Sequence, residues 1–145
     1  MTATAPNFTL SNDASRVDWD RLVDIFHRAP LGTRESARLR QVFAQSTVCC
    51  FAWVGDELIG AGRAISDRIS YAAIFDVVIA PEYQNRGVGT AIMENLIEAA
   101  QAPNVILHSV PGKEGFYSRL GFRKMKTAMA RFALPEIQLR GGYIE

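Results

Sequence analysis

Trp19, Leu22, Val23 and Phe26 recur at the spacing of one helix face, and the stretch they mark, residues 18–28, stops at Pro30 and Gly32. A second stripe, Ala37, Leu39, Val42 and Phe43, follows Thr33 as a capping residue and predicts a helix to Gln45, with Glu35 in the turn where the dipole favours negative charge. From Thr47 the period shortens to two. Residues 47–54, 58–65 and 71–80 read as strands joined by tight turns at Gly55 and near Asp67, an antiparallel meander, and a short strand at residues 7–10 opens the chain. The helical period returns at residues 87–100 through Val88, Ile92, Met93, Leu96 and Ile97, and residues 105–110 then return as a strand parallel to the one before the helix. A short helix at 115–120 closes on Gly121. Two more strands, residues 122–126 and 128–134, complete a mixed α/β (α+β) pattern with a central sheet of about six to seven strands and about four helices. The tail from Pro135 carries no clear pattern.

Composition narrows this little. At 145 residues the chain suits a single domain, 1–145, able to bury about two thirds of the surface its unfolded form exposes. A net charge of +1 offers no field for a nucleic-acid partner. No apolar run approaches the ~20 residues of a membrane span, and residues 1–6 lack the basic start and apolar core of a leader. Cys49 and Cys50 are neighbours whose geometry disfavours a mutual bridge. Free thiols and a cytoplasmic placement are expected. Two histidines and two adjacent cysteines make no metal-ligand spacing.

The chemistry concentrates between strand and helix. Gln84, Asn85, Arg86, Gly87, Val88, Gly89 and Thr90 join an apolar strand to an amphipathic helix, and a helix start offers unpaired N–H groups and a favourable dipole to an anion. A dinucleotide fingerprint would need a third glycine where Ile92 stands, and a P-loop would need a lysine after its second glycine. Glycine spacing alone leaves a phosphate cradle and a plain tight turn evenly matched.

The run from Gln84 to Gly89 resembles the Q/R-x-x-G-x-G/A motif of the GNAT family of acetyl-CoA-dependent N-acetyltransferases, and the run from Gly115 to Phe122 resembles that family's F-Y-x-x-x-G-F segment. Order and separation match as well. The resemblance implies the GNAT fold, with acetyl-CoA as co-substrate and no metal. Val77, Val78 and Ile79 would pair with the pantetheine arm, and Gln84, Asn85, Arg86, Gly87, Val88, Gly89 and Thr90 would hold the pyrophosphate, with Phe116 and Arg119 nearby. Tyr117 would protonate the departing thiolate, since a phenol with a pKa near 10 can donate at neutral pH.

The base is open. Where some relatives carry a glutamate or histidine on the fourth strand, this chain has Ala73 and Phe75. His108 is a catalytic candidate by intrinsic pKa and place on the fifth strand, against the alternative of a structural histidine. Alternation puts Asp76 on the face opposite Phe75, Val77 and Ile79 unless a bulge re-aims it, and a structural carboxylate is expected.

By family position the acceptor pocket would be framed by Phe26, Pro30, Leu31, Arg34, Tyr71 and Phe75, which suits a small-molecule amine with an aromatic or aliphatic body. A non-catalytic acyl-CoA sensor and a protein lysine or N-terminal acetyltransferase are the alternatives. A homodimer is expected only by analogy.

Overall fold

The computed structural model describes residues 7–145; the sequence reading of residues 1–6 lies outside that range. Two compact units are present, the first ending at Leu107 and the second spanning His108–Glu145.

The first unit holds one five-stranded sheet in sequence order, β1 (Thr9–Ser11), β2 (Val48–Val54), β3 (Glu57–Ser66), β4 (Tyr71–Ile79) and β5 (Asn104–Ile106). β1 to β4 pair antiparallel, and β5 joins β4 in parallel. The expected meander and crossover are therefore both present. Helix α1 (Trp19–Arg28) begins at Asp18, whose carboxylate accepts from the N–H groups of Asp20 and Arg21, satisfying two of the unpaired donors of a helix start. Its apolar stripe buries Leu22, Ile25 and Phe26. With Leu39 and Phe43 of α2 (Ser36–Ala44) these cover Phe51, Trp53, Ala61 and Val78 of the sheet.

Helix α3 (Val88–Ala100) covers the opposite face with Ile92, Met93 and Leu96. Gly60 and Gly62 make that approach close. A Cβ on Gly62 would stand 2.9 Å from Leu96 Cδ1 and 3.1 Å from Ile92 Cγ2.

Three expectations are corrected. The strand expected over 105–110 is only Asn104–Ile106, residues 122–134 form no strand, and so among the described residues the sheet has five strands rather than about six to seven. Within 122–134 only Phe122 and Phe132 are partly covered, while Arg123, Lys124, Lys126 and Arg131 are exposed, so β-prone residues there have no face to bury. The unpatterned tail contains a helix. The second unit carries α4 (Glu114–Ser118) and α5 (Pro135–Arg140), giving five α-helices among the described residues rather than about four.

Cys49 and Cys50 are free thiols. Burial pushes both thiol pKa values up, that of Cys50 to about 12. Native protein at pH 8 should therefore resist iodoacetamide at Cys50 and react fully once unfolded, as read by peptide mass spectrometry; equal labelling rates in both states would contradict the burial.

Candidate acetyl-coenzyme A site

β4 carries the coenzyme-binding half of the prediction. β5 pairs only with Tyr71, Ala72 and Ala73, and among the described residues no strand pairs with that edge of β4 from Asp76 to Ile79. Such an edge offers unpaired main-chain donors and acceptors to an extended ligand. Val78 is buried, whereas Val77 and Ile79 keep partial exposure.

The chain then makes a short 3-10 turn, Pro81–Tyr83, braced from α1. Arg28 grips Glu82 through both Nη atoms, at 2.8 and 3.3 Å, and Gln84 Nε2 donates to Ile79 O at 3.1 Å. Arg28 lowers the Glu82 carboxyl pKa and its own is raised in return. Nothing in the local sequence links residues 28 and 82, so this brace has no signature in it.

At the loop's end Gly87 caps α3 with φ +84° and ψ 0°, and Asn85 is also left-handed at φ +63°. Gly87 brings no side chain to cap this helix, which leaves the first N–H groups of α3 without a cap among the described residues. Residues 84–87 are exposed, and a Cβ on Gly87 would meet nothing within 4 Å. Arg86 lies 6.0 Å from the Tyr83 ring. Open amides, a helix dipole and a guanidinium beside an uncrowded turn fit a diphosphate.

Around Asp76 the structure departs from simple alternation. Ala61 pairs with Val78 and Arg63 with Phe75, so Gly62 faces both Asp76 and Val77 across a β-bulge. The extra residue sends Val77 toward α3, where it approaches Gly62, and Val78 into the α1 and α2 core. Both oxygens of the Asp76 carboxylate are engaged by arginines. It receives Arg34 Nη1 at 3.0 Å and Arg63 Nε at 2.8 Å.

The expected acceptor residues are less uniform than their sequence grouping. Phe26 is fully buried, a core residue with the Arg34 guanidinium 4.4 Å from its ring centroid, so it supports the region rather than lining it. Leu31 packs against the same core. Phe75 is partly exposed and lies under Arg63 at 5.1 Å. Tyr71 is exposed at the start of β4, four residues and about 13 Å along the strand from Phe75.

The remaining candidates lie in the second unit. Tyr117 is half-buried on α4, its ring 5.0 Å from Phe116 and 6.1 Å from Phe122, and burial raises its phenol pKa. The N–H groups of Leu120 and Phe122 both donate to Tyr117 O, which tightens the turn after α4 and places Gly121 at φ +91°. Arg119 is exposed. His108 stacks edge-on against Phe132 and Tyr143 at 6.5 and 5.9 Å. Among the described residues no group of three or more His, Cys, Asp or Glu could hold a metal, and no helix is long and apolar enough to cross a membrane.

The sequence signature of the acetyltransferase (GNAT) domain matches residues 27–134, which takes in the cradle, the bulged strand and Tyr117. The chain belongs to the GNAT acetyltransferase family. It is 30% identical over 128 residues to serotonin N-acetyltransferase 2, chloroplastic, of Oryza sativa, and 34% identical over 122 residues to GCN5-related N-acetyltransferase 1, chloroplastic, of Arabidopsis thaliana. These alignments cover 81% and 79% of this chain but only 62% and 61% of the relatives, so the chain spans about three fifths of their length. Among solved structures, a GNAT-family acetyltransferase of Streptococcus pneumoniae superposes with a TM-score of 0.71 over 87% of this chain and 96% of that one, at 22% identity. That likeness concerns the GNAT fold alone.

Proposed function

We propose that this GNAT protein transfers an acetyl group from acetyl-CoA to a primary amine of a small molecule, by direct attack while both substrates are bound. The observation that carries the reading is the open N-terminus of α3 beside the open edge of β4. One suits the diphosphate and the other the extended pantetheine arm, as the family's use of acetyl-CoA requires.

The thioester supplies an activated acetyl group. The amine nitrogen forms the new bond to the carbonyl carbon, the carbon–sulfur bond breaks, and the sulfur takes a proton for which Tyr117 is the proposed donor. Its raised pKa keeps the phenol protonated at neutral pH, the state a donor needs. The amine must arrive neutral. Ala73 and Phe75 cannot take its proton, and Asp76 is engaged by two guanidiniums. These residues leave His108, or water before the attack, to take that proton.

An acceptor with an aromatic or aliphatic body fits the apolar Leu31 and Phe75, and the rice relative's name refers to an aromatic amine. A lysine-rich peptide would favour acidic surface. Asp24, Glu57 and Glu82, beside α1, are each paired with Arg21 or Arg28 rather than offered to a basic partner. Thiol release from acetyl-CoA, followed over arylalkylamines, polyamines, amino acids and a lysine peptide, tests the reading. Turnover is expected with arylalkylamines. Coenzyme binding without turnover on any amine would favour a non-catalytic acyl-CoA sensor, a reading supported by the lack of a protonatable side chain at Ala73 and Phe75.

A further inference from the structure

Four non-glycine residues have positive φ in the described chain, Arg68, Asp76, Asn85 and Gln101, and only Asp76, at φ +57°, lies inside a strand. A left-handed residue in mid-strand costs free energy and persists only where its surroundings hold it. Here the hold is visible. Both carboxylate oxygens are used, Oδ1 by Arg34 and Oδ2 by Arg63, and the Asp76 side chain is only 14% exposed. Neither arginine is loose. Arg34 also donates to Leu31 O at 3.4 Å and lies over Phe26, while Arg63 donates from Nη1 to Ser46 Oγ at 3.3 Å, and that hydroxyl donates to Val42 O in α2. One carboxylate thus joins β4, β3, the loop between α1 and α2, and the end of α2.

We propose that Asp76 is a positioning residue, and that the Arg34, Asp76 and Arg63 clamp fixes the bulge that sets which main-chain groups of β4 face the coenzyme. This rests on the acetyl-transfer reading. In a strand the N–H and C=O of successive residues point to opposite edges, so removing one residue from the count moves every later group to the other edge. Without the bulge, the groups that Val77, Val78 and Ile79 present at the edge left open by β5 would be exchanged for those now turned toward β3. Gly62 completes the device. Facing the bulge without a Cβ, it leaves the space that Val77, Ile92 and Leu96 occupy.

The test compares Asp76→Ala, Asp76→Asn and Asp76→Gly by calorimetry with coenzyme A and by steady-state kinetics with acetyl-CoA. Alanine loses both the left-handed tolerance and the carboxylate, and its coenzyme A affinity should fall at least about tenfold with a matching rise in KM for acetyl-CoA. Asparagine tolerates the same φ and keeps an acceptor oxygen. It should recover affinity to within a few-fold of wild type and leave the pH profile of kcat/KM unchanged. Glycine, which keeps the backbone but not the clamp, should fall between them, and it carries the comparison should the alanine variant not fold. Unchanged coenzyme A affinity in the alanine or the glycine variant would overturn the clamp. So would an asparagine variant as impaired in kcat as alanine with the acid limb of its pH profile lost, because the carboxylate would then move a proton. Failure of wild-type protein to bind coenzyme A would instead overturn the acetyl-transfer reading, and this role with it.

Discussion

Replacing Gly87 with valine is expected to weaken coenzyme A binding at least about tenfold, a loss of ~1.4 kcal/mol or more, and to lower the melting temperature by roughly 5 °C. The two effects have separable causes. Gly87 holds φ +84°, where a β-branched residue is strained by about 1–3 kcal/mol, yet nothing within 4 Å would collide with its Cβ. The stability loss is therefore a backbone cost. The affinity loss arises because relieving that strain rotates the first turn of α3, and with it the amides offered to the diphosphate. Gly55 provides the control. It turns between β2 and β3 at φ +58°, also with nothing within 4 Å, and should show the thermal loss from valine without the binding loss. Calorimetry and thermal melts on both variants decide it; equal coenzyme affinity in both would remove the loop from the binding site.

The control also marks what was legible in the sequence. Turns with glycine, the helix of Trp19, Leu22 and Phe26, and the change from period two back to helical period at Val88 are local signals, and each element formed within a few residues of its predicted place. Asp18 and Arg28 bound α1 as expected because cap and stripe agree. The misses are non-local. Residues 122–134 have strand-like composition, but with only Phe122 and Phe132 partly covered there is no buried face to select a ladder.

Alternation admits a bulge at Asp76 only as an exception, because it assumes an unbroken pleat. A glycine at position 62 facing an aspartate in an apolar strand was the available signal. Its partners Arg34 and Arg63 lie 42 and 13 residues away on other elements, and no periodicity along the chain pairs them with it. Phe26 shows the converse limit. The stripe places it on the buried face of α1, whereas family position alone names it as a pocket residue and does not distinguish a pocket wall from the core beneath it.

Tyr117→Phe is expected to lower kcat by roughly 10²-fold, the usual scale for losing a positioned acid, while leaving coenzyme A affinity nearly unchanged. Phenylalanine keeps the ring contacts with Phe116 and Phe122 and the two turn hydrogen bonds to Tyr117 O, since those involve ring and backbone. Only the hydroxyl is lost, so a fall in kcat without a fall in stability isolates its chemistry. The pH dependence gives an independent reading. Burial raises the phenol pKa above its ordinary 10, so the donor stays protonated through neutrality, and a fall in kcat from its ionisation should have its midpoint above pH 10. Because the folded state holds this proton more tightly, its contribution to stability is complete below about pH 10 and lost as pH rises through the folded value. Alkaline kinetics must therefore be paired with circular dichroism. Where the fold persists, wild type should lose turnover on that limb and Tyr117→Phe should not, whereas wild-type kcat in the variant would exclude Tyr117 as the acid.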